Sequence, residues 1–410
     1  MAAEELIDAR QMSGFKPFYQ FQSPTRVIAG YGLIEGLGFE FAKEGATRVL
    51  VVTDEVIHAT ALIDKVRAGV EDGGLEVVGI YDQVPPDSDS SVVKGAAQAA
   101  HEHGADSILA VGGGSVMDTA KLANVIFRHG GEPRDWEGYY GLPRANDGLG
   151  RPEELAPFAC VPTTCGTGSE VSFAAVIKDS AEHVKFQVGD FPLYPRLAVL
   201  DPESTRTLPP AIVAATGMDA MTHAIEGIVS SEWSPHGDAC ALQALRMLRD
   251  NLQLAVEHPE DDAARGNMLI AANLAIQPTH TGAIGIAHSL SHPCGAHYNV
   301  PHGVANAINL PWVIEYNAAA GEDIAAKYRD VNELLGLEVG GDGAAVGHAL
   351  ADHVRETVRT LGLPGRLSEV GVPESGIPLL VEGAIGDGCT LVNPVEPSEE
   401  DFAELYRKAL

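Results

Sequence analysis

Residues 107–121, SILAVGGGSVMDTAK, pass from an apolar strand-like segment through three consecutive glycines into a stretch with helical spacing. This passage decides the fold class. The glycines at 112–114 let the backbone approach a ligand closely. The helix start that follows offers N–H groups and a positive dipole end to an anion such as a diphosphate. The same glycines also suit a plain tight turn. The pattern is neither G-x-G-x-x-G nor a P-loop, so no ordinary phosphate-binding fingerprint is present.

Working outward, RVLVVT (48–53), LEVVGIY (75–81), SILAV (107–111), FACVP (158–162) and LAVL (197–200) read as short buried strands. Helical stretches such as 91–104 lie between them. The alternation predicts an α/β region with a parallel sheet covered on both faces. After Leu208-Pro209-Pro210 the apolar residues fall three and four apart through to the C-terminus. The second half is therefore expected to be all-α, entered through prolines at the start of a helix.

The chain has 410 residues, 27 of them basic and 57 acidic, for a net charge of −30. So acidic a surface repels phosphate backbones and anionic bilayers, which argues against nucleic-acid and membrane partners. Only 9 of the basic residues are lysines, which reads as a surface built for solvation. No apolar run reaches transmembrane length, and the start, MAAEELIDARQMSG, has neither basic residues at its head nor an apolar core. Five cysteines are scattered without CxxC spacing, so neither a disulfide framework nor a thiolate zinc site is expected. A cytoplasmic location follows as an expectation.

Two further features sit at strand ends. PTTCGTGSE (162–170) brings hydroxyls and backbone N–H groups that suit phosphate or ribose oxygens, or the cap of a helix. Asp54, after RVLVVT, can accept from ribose hydroxyls and repel a 2′-phosphate, or cap the next helix. In the second half, Asp219 and His223 are four apart in GMDAMTHAIEG, and His288 and His292 repeat that spacing in HSLSHPCG. His302 follows in VPHGVAN. A carboxylate with several imidazoles suits a divalent ion such as Fe(II), Zn or Mn, and spacing alone leaves open which of the five ligate. His101 and His103 read as solvated, and His280 and His297 as neighbours of the metal segment. Lys185 can reach a phosphate or stay in solvent. Trp136, Tyr139 and Tyr140 read as packing or as part of a lid, and the Gly/Pro-rich stretch 139–156 reads as a loop with no assigned role.

The ordered set GGGSVMDTAK, PTTCGTGSEV, GMDAMTHAIEG and HSLSHPCGAHYNVPHGVAN resembles the iron-containing (group III) alcohol dehydrogenases, whose fold is that of dehydroquinate synthase. LAVLDPE and the C-terminal PVEPSEEDFAELYRKAL extend the resemblance over nearly the whole chain. It implies a dinucleotide-binding α/β domain (1–205), an all-helical metal-binding domain (206–410) and an active site in the cleft between them. By position it implies metal ligands Asp219, His223, His288 and His302, with His292 a non-ligand beside substrate and nicotinamide. The implied cofactor residues are Asp54, Gly113, Gly114, Ser115, Asp118, Thr163, Thr164, Thr167, Val176 and Lys185, with Asp54 favouring NAD over NADP. The implied protein is a homodimer that oxidises a small alcohol or diol with NAD, or reduces the carbonyl. Thr279-His280-Thr281 stand where relatives carry an aromatic residue and then Ser-Asn, so substrate identity is not implied.

Three rival readings use the same residues. A lyase of dehydroquinate synthase type needs several cations, whereas residues 210–300 hold only Arg246, Arg249 and Arg265 and no lysine. A hydroxyacid–oxoacid transhydrogenase with tightly held cofactor stays compatible with the motifs. An acidic binding protein on the old scaffold is disfavoured by the intact ligand set.

Overall fold

The computed structural model describes residues 19–142, 155–182, 184–280, 284–338 and 340–410. Among the described residues of the first half there are nine strands: β1 (Arg26–Ala29), β2 (Arg48–Val52), β3 (Glu76–Tyr81), β4 (Ser107–Gly112), β5 (Gly138–Tyr139), β6 (Phe158–Pro162), β7 (Ala174–Asp179), β8 (Val184–Gly189) and β9 (Leu197–Leu200). Six form one parallel sheet in the order β1-β9-β6-β4-β2-β3. All five expected strands are in it. Alternate residues face opposite ways, so Leu50, Val52, Ile108, Ala110, Phe158 and Cys160 enter one core. Val49, Val51, Leu109, Val111, Ala159 and Val161 enter another. Five helices flank the strands: α1 (Leu37–Ala42), α2 (Glu55–His58), α3 (Ala61–Asp72), α4 (Ser90–Glu102) and α5 (Gly114–His129). Residues of α1 and α3 pack in the second core, and residues of α4 and α5 in the first.

The strand order explains where a crevice opens. From β2 the chain goes to β3 on one side and returns as β4 on the other. The helices after β2 and β4 therefore leave on opposite faces, and their starts open a crevice at the carboxyl ends of these strands. Asp54 follows β2 and Gly113 follows β4, so both stand at that switch point.

The edge strand β1 and a small sheet, β5-β8-β7, go beyond the sequence reading. β7 and β8 pair antiparallel, with Lys178 opposite Lys185. β1 alternates half-buried with exposed residues over four positions, and β7 and β8 mix lysines among apolar residues, so none is a continuous apolar run. Gly138–Tyr139 pairs with β8, where the sequence suggested only loop, and most of the rest of that stretch (143–154) lies outside the described residues.

From Pro210 onward every element among the described residues is helical. α6 (Pro210–Val229) opens with a proline at its first turn, as expected. Then follow α7 (Pro235–Glu257), α8 (Asp262–Ala275), α9 (Ile286–Tyr298), α10 (His302–Ala318), α11 (Glu322–Leu335), α12 (Gly343–Thr360), α13 (Ile377–Ile385) and α14 (Glu399–Ala409). No helix of the described residues is long and apolar enough to cross a membrane.

Arg265 helps fasten the connection between the halves. Arg265 on α8 is wholly buried and donates to the carbonyls of Thr205, Leu208 (3.1 Å) and Pro259 (2.8 Å). A guanidinium without a carboxylate partner is tolerated because its planar donors match these carbonyls. Arg265→Ala strands three acceptors and leaves a cavity, so it is expected to cost at least about 3 kcal/mol in chemical denaturation. The control Arg359→Ala, at a surface pair 74% exposed, is expected to change stability by less than about 0.5 kcal/mol.

Candidate metal centre and cofactor cleft

α6 is buried along almost its whole length, so its polar residues must satisfy one another. Asp219, His223 and Glu226 lie on neighbouring turns of it. Asp219 is 2% exposed, and its Oδ1 lies 3.6 Å from Nε2 of His288 on α9 and 3.5 Å from Nε2 of His302 at the start of α10. Metal bonds of about 2.1 Å at tetrahedral angles place ligand atoms about 3.4 Å apart, so these separations fit a shared ion. His223 stacks on His288 with ring centroids 4.7 Å apart, and its buried Nδ1 has no hydrogen-bond partner among the described residues.

The charges point the same way. Burial alone raises the Asp219 carboxyl, but the surrounding imidazoles hold it well below the usual range. Burial lowers His223 to about 4, which keeps its ring neutral. Burial also opposes charge on His288, yet Asp219 and Glu226 carry it up to about 9. Asp219 and Glu226 thus call for a positive charge in this buried cluster, which a protonated His288 carries here and a bound divalent ion would supply in its place. Glu226 accepts from the Ala287 N–H (2.6 Å) and lies 2.6 Å from His288 Nδ1, which frees Nε2 for an ion. The donor set, the orphaned nitrogen and the carboxylate behind the imidazole all fit a divalent metal.

The cofactor side is built from α5 and the loop after β6. Gly113 caps α5 with no side-chain hydrogen bond, so the first N–H groups of a sixteen-residue helix stay open toward the cleft. That open end fits a diphosphate. A Cβ on Gly113 would meet Thr164 at 3.0 Å, and one on Gly114 would meet Thr167 at 2.9 Å, so the two loops interlock. Gly114, Ser115, Asp118, Thr167, Val176 and Lys185 line the same cleft as Asp219, His223, His288, His292 and His302. Thr163 is buried and donates its N–H to the Gly112 carbonyl, which supports the turn from behind. Asp54 caps α2 through the Ile57 N–H (2.8 Å), so the capping role is real at the switch point.

Asp118 and Lys185 are held by partners within the protein. Asp118 accepts from Ser169 Oγ (2.6 Å) and the Val176 N–H (2.9 Å). Lys185 pairs with Asp87 at 2.8 Å on the cleft wall rather than reaching into solvent. Behind them the wholly buried Lys121 donates to Ser169, Ser172 and the Ala174 carbonyl, all within 2.8 Å.

The sequence reading missed Glu226, Asn306, Asp387 and Cys389. Asn306 Nδ2 lies 2.8 Å from Asp219 Oδ1 and 3.1 and 3.2 Å from the Nε2 atoms of His288 and His302. Spacing could have found Glu226, three residues after His223, and Asn306, four after His302. Asp387 and Cys389 arrive from far along the chain beside His292 and carry no local signal. Thr279 and Tyr139 also line the cleft, while Thr281 and the His280 side chain lie outside the described residues.

Models described as iron-containing alcohol dehydrogenase and as the Fe-containing alcohol dehydrogenase family, C-terminal, match residues 24–202 and 213–410. The chain belongs to the iron-containing alcohol dehydrogenase family. Within that family it is 33% identical over 392 residues to an NAD-dependent methanol dehydrogenase of Bacillus methanolicus, covering 95% of this chain and 99% of that one. It is 35% identical over 381 residues to lactaldehyde reductase of Escherichia coli, covering 93% and 96%. A crystal structure of 1,3-propanediol oxidoreductase superposes with a TM-score of 0.89 at 31% identity, covering 96% of this chain and all of that one.

The bond from Glu226 to His288 generates a test. Glu226→Gln is expected to weaken metal retention about 10- to 100-fold against a chelator while the fold persists. Unchanged retention contradicts the supporting role.

Proposed function

We propose that this chain is a metal-dependent alcohol dehydrogenase that exchanges a hydride between NAD(H) and a small neutral alcohol or diol, with the aldehyde or ketone as substrate in reverse. The single observation that carries the reading is the meeting, in one cleft, of the Asp219–His288–His302 cluster, with His223 stacked on His288, and the open N-terminus of α5. Asp219 and the three histidines hold the divalent ion, with iron first by family and zinc or manganese as alternatives. The residues 1–205 and 206–410 act as the cofactor and metal domains.

When bound, the ion supplies Lewis-acid stabilisation of negative charge developing on the substrate oxygen, and the nicotinamide supplies the hydride chemistry. The α5 N-terminus, with Gly113, Gly114 and Ser115, binds the diphosphate. Thr163, Thr164, Thr167, Asp118, Val176 and Lys185 shape the remaining cofactor wall. Asp54 faces the adenosine ribose and repels a 2′-phosphate. His292 carries the alcohol proton toward solvent. Phe173, Ile276 and Ile284 give the cleft an apolar side that favours short neutral substrates and excludes water.

We also place the protein in the cytoplasm as a homodimer. The half-exposed edge strand β1 and the exposed Tyr31 and Phe39 support a partner copy, which sedimentation equilibrium reads directly.

The test follows NADH formation over a panel of small alcohols and diols after metal removal and separate reloading with Fe(II), Zn or Mn. Reloading with one metal is expected to restore turnover by at least about 100-fold. NADP is expected to serve poorly, and Asp54→Gly to narrow the gap. Silence under every metal with NAD still bound overturns the dehydrogenase reading in favour of transhydrogenase or lyase chemistry.

A further inference from the structure

His292 projects from α9 into the cleft, with its ring stacked on His302 at 5.3 Å. Its Nδ1 lies 2.6 Å from Asp387 Oδ2, and both side chains are nearly buried, at 12% and 11% exposed. Asp387 is itself fixed. It caps the turn Gly388–Val392, and its Oδ1 accepts from the Cys389 N–H at 2.9 Å and from Ser289 at 3.4 Å. A carboxylate can only accept, so Oδ2 requires a hydrogen on Nδ1. In the neutral ring the remaining nitrogen, Nε2, then presents its lone pair.

We propose that Asp387 is a positioning residue that fixes the orientation and tautomer of His292, so that Nε2 always faces the cleft as an acceptor. The inference rests on the reading of His292 as the proton carrier. In that step the substrate O–H bond breaks, its electron pair stays on oxygen, and Nε2 takes the proton before solvent does. Asp387 keeps its charge throughout and touches neither substrate nor cofactor. The logic is that of a carboxylate orienting an imidazole base.

The geometry makes an unusual ordering of variants. Asp387→Asn preserves shape, but the Cys389 N–H claims the single amide oxygen, leaving the amide NH2 toward Nδ1. That arrangement forces the hydrogen onto Nε2 and blocks it as an acceptor. Asp387→Ala removes the tie and lets the ring sample both tautomers. The isosteric variant is therefore expected to be the worse enzyme. A role in packing alone gives the opposite order.

The experiment compares metal-loaded wild type, His292→Ala, Asp387→Asn, Asp387→Ala and the His292→Ala/Asp387→Asn double variant, with metal content and NADH affinity measured on each. Asp387→Asn is expected to lower kcat about 100-fold or more, with KM, metal content and NADH affinity within about threefold of wild type. Asp387→Ala is expected to fall between it and wild type, and the double variant to match His292→Ala within about threefold. Full kcat in Asp387→Asn, the reversed order, or multiplicative losses in the double variant overturn the proposal. Full turnover in His292→Ala overturns the proton-carrier reading and this inference with it. A crippled His292→Ala beside a fully active Asp387→Asn overturns this inference alone. If Asp387→Asn loses its metal or fold, Asp387→Ala in the two backgrounds carries the same cycle.

Discussion

The charge of Asp219, held almost out of water among imidazoles, is the constraint on which the rest of the structure turns. Stripping a carboxylate of solvent costs several kcal/mol, roughly, unless charge and hydrogen bonds offset it. Here the offset comes from three helices at once: α6 carries Asp219 and His223, α9 carries His288, and α10 carries His302 and Asn306. Those helices can meet only because small residues line their contacts. A Cβ on Gly303 would lie 2.1 Å from the Ala215 carbonyl oxygen. The packing of the helical half and the assembly of the polar centre are one event.

A similar coupling holds the other wall of the cleft. Lys121 is entirely buried and gathers Ser169, Ser172 and the Ala174 carbonyl, so α5, the loop after β6 and the start of β7 share one anchor. Burial lowers the lysine from its ordinary range, with Asp118 at 3.5 Å opposing that shift. From the same loop the buried Glu170 accepts from Asn273 of α8 at 2.9 Å, which ties the sheet half to the helical half close to the cleft. Together with Arg265 behind the connection, these contacts fix how far the open end of α5 stands from the histidines.

Much of this was legible in the sequence, for physical reasons that differ by region. Strands buried on both faces announce themselves as apolar runs, and the five runs at 48–53, 75–81, 107–111, 158–162 and 197–200 all became strands of the parallel sheet. The hairpin of β7 and β8 did not announce itself, because its lysines interrupt any apolar pattern. Helical spacing placed Asp219 with His223, and separately His288 with His292, but spacing could not say that His292 turns toward Asp387 while His288 turns toward Asp219. The family resemblance set His292 apart from the ligands, but its turn toward Asp387 came only from the structure. Residues that act by orienting another side chain, such as Glu226 and Asp387, declare themselves only when the fold brings their partners close.

The central claim is that one divalent ion belongs among Asp219, His223, His288 and His302. Anomalous X-ray diffraction from crystals of the metal-loaded protein tests it most directly. The account predicts a single strong peak bounded by those four side chains, with His292 outside the ligand set. A peak seated instead among His292, Asp387 and Cys389, the other group of potential ligands among the described residues, or no peak at all, contradicts it.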